Sequence, residues 1–99
     1  MLILIAKLRA KPGQAQKLIQ LAERAIGPSR GEEGCITYEL LQDPFDPESF
    51  TFYEKWRSRQ DLELHFKETH FLEFGGATEE ILEGPVSLTA YEVSSEQEI

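Results

Sequence analysis

Cysteine, basic residues and long apolar runs are all scarce in this sequence, and each scarcity removes a class of function. Cys35 is the single cysteine, so no internal disulfide can form and no cysteine-built metal site is available. Ten Lys and Arg stand against 18 Asp and Glu, a net charge of -8, which is the wrong sign for neutralising phosphates and argues against nucleic acid as a partner. No apolar stretch approaches the roughly 20 residues of a membrane span. The opening run Met1 to Ala6 has neither a basic stretch before it nor a small-residue cleavage site after it, so the expected location is the cytoplasm, with no membrane partner. A Gly-rich dinucleotide fingerprint, a P-loop and a serine nucleophile elbow are also missing, and no cofactor is expected.

What is present is ordinary globular composition, 40% hydrophobic and 28% charged over 99 residues, enough for one domain over 1–99 with a thin core. Leu2 to Arg9 reads as a buried strand closed by the turn Lys11-Pro12-Gly13. From Gln14, Ala15, Leu18, Ile19, Ala22, Ala25 and Ile26 recur at helical steps, and Gly27-Pro28 is expected to end that helix. Cys35 to Gln42 alternates, with Ile36, Tyr38 and Leu40 on one face, and a wide loop Asp43 to Glu48 carrying two prolines leads into an aromatic strand, Phe50 to Trp56. Ser58 and Asp61 have capping-box spacing, opening a short helix with Leu62, His65 and Phe66 on one face that is expected to stop near Thr69. Thr69 is expected to cap a third helix containing Phe71, Phe74, Ile81 and Leu82, interrupted by Gly75-Gly76. After Gly84-Pro85, Val86 to Val93 alternates as a last strand, and residues 94–99 read as a frayed acidic tail.

Strand, helix, strand, strand, helices, strand is an α+β order that fits a ferredoxin-like antiparallel sheet with its helices on one face. Both strand faces nonetheless carry large groups: Leu2, Leu4 and Leu8 against Ile3 and Ile5, and Phe50, Phe52 and Trp56 against Tyr53. With no helix to spare, a second copy of the sheet is the economical cover, and the expected assembly is a homodimer packed sheet to sheet.

Glu33-Gly34-Cys35, Tyr38, Asp43-Pro44, Asp46-Pro47, the strand Phe50 to Trp56, His65 and Thr69-His70-Phe71, with Lys11-Pro12-Gly13 early and Gly84-Pro85 late, together resemble the antibiotic biosynthesis monooxygenase domain. The resemblance implies a dimeric α+β barrel with a pocket between each sheet and its helices. That family includes cofactor-independent oxygenases of aromatic polyketides and quinols, haem-degrading enzymes and an isomerase of phosphorylated autoinducer-2. Haem-degrading members carry an asparagine, a tryptophan and a histidine where this chain has Ala6, His65 and Gly75, so a haem role of that kind is not expected. The isomerase shares a pattern like Glu32-Glu33-Gly34, Leu41-Gln42-Asp43-Pro44, Tyr53-Glu54 and His65 with His70, and stands as the alternative.

The expected reaction is oxidation of a small aromatic hydroquinone or phenol by O2, with isomerisation of a small phosphorylated carbonyl compound or metabolite binding without catalysis as alternatives. The candidate catalytic groups are His65, His70 and Glu54; the candidate substrate-binding groups are Tyr38, Trp56, Phe66 and Phe74. His65 is the preferred base, because a neutral imidazole is available near pH 7, with His70 or Tyr38 orienting it and Trp56 and Phe74 as aromatic walls. Glu54 shares a strand face with Phe52 and Trp56 and is the competing base. Each has a plain packing reading: His65 as a satisfied core histidine, Glu54 as half of a salt bridge, the aromatics as core. Two histidines with Glu54 or Glu73 make a sparse metal-ligand set, and no metal is expected. Cys35 reads as inert packing, and Glu79, Glu80 and Glu83 as a solvated helix face.

Overall fold

The structure, a computed structural model, describes all 99 residues. Its elements are β1 (Leu2–Arg9), α1 (Ala15–Arg30), β2 (Cys35–Asp43), β3 (Asp46–Trp56), α2 (Arg59–His65), α3 (Thr69–Thr78) and β4 (Ser87–Glu92). One antiparallel sheet has the order β2-β3-β1-β4, with the helices on one face, so the α+β ferredoxin-like architecture read from the sequence is the one observed. No helix is long and apolar enough to cross a membrane.

Alternation sets which side chains reach the helices. Leu2, Leu4, Ala6 and Leu8 of β1 and Phe50, Phe52, Glu54 and Trp56 of β3 are all buried on the inner face. Against them α1 presents Leu18, Leu21, Ala22 and Ala25, each buried leucine contributing about 1.5–3 kcal/mol. On the opposite sheet face Ile3, Ile5 and Tyr53 are only half-buried and Tyr91 is exposed.

Several local expectations need correction. Gly27-Pro28 does not end α1, which continues to Arg30. Pro28 removes one N–H in the last turn only, while buried Ser29 and a hydrogen bond from Arg30 Nε to the Tyr38 carbonyl (2.9 Å) tie that turn to β2. The wide loop at Asp43 is a two-residue turn: the Asp43 carboxylate accepts the Phe45 N–H at 2.8 Å, and β3 begins at Asp46. Pro47 fits inside β3 because the register with β2 is irregular there, and its carbonyl accepts Gln42 Nε2 at 2.7 Å. Ile36 does not join the inner face; a register shift between Cys35 and Thr37 leaves it exposed.

The second helix ends at His65 rather than near Thr69, and Thr69 is the first residue of α3 rather than its cap, since Glu68 holds the N-cap position without a side-chain bond. α3 runs through Gly75-Gly76 and stops at Thr78, whose hydroxyl turns back to the Phe74 carbonyl at 2.8 Å. Ile81 and Leu82 therefore lie beyond the helix, in a segment stitched to the end of β1 by Lys11 N–H to Ile81 O (2.8 Å) and Glu83 N–H to Arg9 O (2.7 Å). Glu79, Glu80 and Glu83 are exposed on that segment, not on a helix face. Ser58 caps α2 as expected, the Asp61 N–H donating to Ser58 Oγ at 3.2 Å, but the box is half closed, since the Asp61 carboxylate takes the Ser58 hydroxyl and Arg57.

Candidate functional site

Between the inner face of β1, β3 and β4 and the flank of α3 lies a cavity of about 330 Å³. Its walls are Leu4, Ala6, Leu8, Phe52, Leu82, Val86 and Leu88, with Phe66, Phe71 and Phe74 as the aromatic side. Gly75 also faces it; a side chain there would take up space inside. Glu54 is the one buried ionisable group on this wall, 3% exposed, and the other carboxylate, Glu79, stands at the solvent edge. No lysine or arginine lines the cavity.

Glu54 reaches the cavity because β3 alternates and its position pairs with Leu4 and Tyr38, both inward. The indole N–H of Trp56 donates to one of its oxygens at 2.9 Å. Burial without a cation raises the carboxyl pKa to about 7, outweighing the lowering by the Trp56 bond, and Glu32 adds a smaller upward push. A carboxyl of this kind carries a proton about half of the time near neutrality and can accept or donate one.

A second polar group lies behind the aromatic wall. Glu32, in the turn between α1 and β2, accepts on a single oxygen from His65 Nδ1 and from His70 Nε2, both at 2.7 Å. A carboxylate can only accept, so those two nitrogens carry the protons and the other nitrogen of His65 holds a lone pair. That Nε2 is buried and meets no hydrogen-bond partner. Around the His65 ring stand Trp56 (4.6 Å between centroids), Phe71 (5.1 Å), Tyr38 (5.4 Å) and Phe66 (6.0 Å). Burial pushes the His65 pKa down, with the Glu32 hydrogen bond opposing it.

The delivery of Glu32 depends on Gly34, where a Cβ would sit 2.2 Å from Asp61 Cγ. Only glycine lets this turn press against the start of α2, where the Gly34 carbonyl also accepts the Arg57 N–H at 2.8 Å.

The candidate residues thus separate into two groups. Glu54, Phe66 and Phe74 line the cavity; Tyr38, Trp56, His65 and His70 do not. Sheet order explains the split: the cavity lies over β3, β1 and β4, whereas Tyr38 stands on β2 at the far edge and Trp56 fills the end of β3 under α2. His65 and Trp56 do share one side of the sheet, ring against ring. The carboxylate partner of the two histidines is Glu32, not Glu54 or Glu73. Cys35 is half-buried, and burial pushes its thiol up to about 11, leaving no reactive thiolate at neutral pH.

The family model for antibiotic biosynthesis monooxygenase matches residues 1–77. The chain belongs to the antibiotic biosynthesis monooxygenase family. Among its relatives, the mycobacterial protein named "Putative monooxygenase Rv0793" (Mycobacterium tuberculosis) is 32% identical over 85 residues, covering 86% of this chain and 83% of that one. Its solved structure superposes with a TM-score of 0.90 at 29% identity, over 98% of both chains. The structure of PA3566 from Pseudomonas aeruginosa is 36% identical with a TM-score of 0.87, over 95% of this chain and 94% of that one. An uncharacterized Synechocystis protein, sll1783, is 32% identical over 97% of this chain, and the chain spans 65% of that relative's length.

Proposed function

We propose that this member of the antibiotic biosynthesis monooxygenase family oxidises a small aromatic hydroquinone or phenol with O2, without a redox cofactor, and that Glu54 is the base. The observation that carries the reading is a buried carboxyl, without a cation beside it, on the wall of a largely apolar cavity of about 330 Å³. Apolar and aromatic walls suit a flat ring, and a single acceptor suits its hydroxyl. A hydroxyl reaching Glu54 loses its proton, and the phenolate formed is electron-rich enough to pass an electron to O2. For a quinol the balance closes when one oxygen atom enters the ring and the other leaves as water, the quinol supplying two electrons and two protons. The apolar walls around Glu54 offer few polar groups to hold water beside the intermediate.

Cavity chemistry supports this reading over the isomerase. A phosphorylated carbonyl compound would bring a dianion to a wall without a cation and with two carboxylates, an arrangement that repels it. In this reading His65 and His70 act from behind the wall, fixing Phe66 and Phe71, which neighbour them in the chain. We also propose a homodimer packed through the outer sheet face, where Ile3, Ile5, Tyr53 and Tyr91 lie.

The test is oxygen consumption by the purified protein against a panel of quinols, anthrones and phosphorylated sugars. Uptake with a quinol or anthrone is expected. Isomerisation without uptake, or saturable binding without turnover, would overturn the proposed reaction in favour of the isomerase or of a binding module. Sedimentation that returns a monodisperse 11.3 kDa species would remove the dimer.

A further inference from the structure

The Glu32, His65 and His70 cluster has a geometry that its hydrogen bonds alone do not require. Its three candidate ligand atoms, one carboxylate oxygen and two imidazole nitrogens, lie within 4.8 Å of one another. They come from three places in the chain: the α1–β2 turn, the end of α2 and the start of α3. We infer that these three side chains bind one first-row divalent cation of the zinc or cobalt type, which pins the two helix ends that carry the aromatic wall.

Ligand chemistry fits that class. Two imidazoles and one carboxylate are common donors to Zn²⁺ and Co²⁺, at about 2.0–2.2 Å each. Around a tetrahedral ion such donors stand about 3.3 Å apart. Two of the pairs here stand at 2.7 Å, so the carboxylate must retreat by roughly half an ångström, within reach of a side-chain torsion. With Glu32 ionised and both rings neutral, the donor set carries one negative charge. Coordination at Nδ1 puts the His65 proton on Nε2, the nitrogen that lies buried in the ring cluster of Trp56, Tyr38, Phe66 and Phe71.

Access exists from the surface. Glu32 forms one wall of an open cleft of about 350 Å³ that also holds Glu33, Glu68 and the Arg57–Asp61 ion pair, so a cation can reach Glu32 from water. None of the three ligands lines the apolar cavity. The cation is therefore a brace behind the aromatic wall and not a participant in the oxidation, and its existence does not depend on the proposed reaction.

Titration of the full chain, stripped with a chelator, with Co²⁺ and then Zn²⁺ tests the inference. One Co²⁺ per chain is expected, with visible bands of a low-coordinate nitrogen and oxygen site, displacement by Zn²⁺, a rise in melting temperature, and paramagnetic broadening of the His65 and His70 ring signals. Glu32→Gln and His70→Gln should each weaken binding by at least about tenfold. Both residues are part-buried at the edge of the fold, and a matching circular dichroism spectrum shows that each variant remains folded. Glu33→Gln and Glu68→Gln should change affinity by no more than about fivefold. No saturable uptake of either ion by millimolar concentration, broadening that spares both histidines, or binding that survives Glu32→Gln and falls with Glu33→Gln would overturn it.

Discussion

Glu54 and Glu32 are two carboxyl groups on either side of the same aromatic wall, and the molecule treats them in opposite ways. Glu32 receives two imidazole N–H groups on one oxygen and is compensated where it stands. Glu54 receives one indole N–H and no cation, so burial decides its behaviour and its pKa rises to about 7. An acid held by two N–H donors builds structure; one left with a single donor beside a cavity is available for chemistry. The same contrast separates the two histidines from the role first expected of His65, whose free nitrogen faces packed rings and not the cavity.

The largest effect that would sharpen this comparison is on turnover. Glu54→Gln keeps the shape and the bond to Trp56 but removes the proton acceptor, and should lower oxygen uptake on a competent substrate by roughly 10²- to 10⁴-fold. With Glu54 as base, kcat/KM of the parent should rise through a pH near 7, and steady-state rates across pH 5 to 9 check both. A variant that keeps its full rate would place the base elsewhere.

Next in size is stability. The pKa of Glu54 is raised from 4.5 to about 7 by folding, so between those values the folded state holds a proton that the unfolded state has lost. Its contribution is present below pH 4.5 and disappears as pH climbs through 7, a difference of about 3 kcal/mol. Urea melts at pH 5 and pH 8.5 should therefore show the parent losing stability relative to Glu54→Gln, which cannot ionise.

On the paired side, Glu32→Ala strips the partner from a buried imidazole N–H and should cost about 1–3 kcal/mol, read from the same melts in metal-free buffer. The smallest effect lies outside both regions: Ser58→Ala removes the cap of α2 and should cost about 1 kcal/mol, with oxygen uptake unchanged. A larger loss of activity there would mean that the start of α2, against which Gly34 packs, controls the wall more tightly than its distance implies.

Regular elements were legible because they follow period: alternation along β1 and β3, three- and four-residue steps along α1, and the Ser58-to-Asp61 spacing that opens α2. Glu54 was legible as an inward charge for the same reason. What was not legible depends on contacts between distant parts of the chain. Pro28 reads as a stop, yet buried Ser29 and the Arg30 bond to β2 carry α1 past it. Asp43-Pro44 reads as the start of a long loop, yet one Asx hydrogen bond closes it in two residues. Glu32 sits 33 and 38 residues before the histidines it binds, in turn material without periodicity. Its sequence signals were the Glu32-Glu33-Gly34 pattern shared with the isomerase and Gly34 itself, a glycine before a strand where a close approach to another element is a general reason for having no side chain.

The most direct measurement is the titration of Glu54 itself, followed by the chemical shift of its side-chain carboxyl carbon in ¹³C-glutamate-labelled protein and assigned by Glu54→Gln. It needs no substrate. A carboxyl left without a cation in an apolar cavity should show a midpoint near 7, well apart from the exposed glutamates. A midpoint near 4.5, the ordinary value, would mean that the group is solvated or paired, and would contradict its assignment as the base.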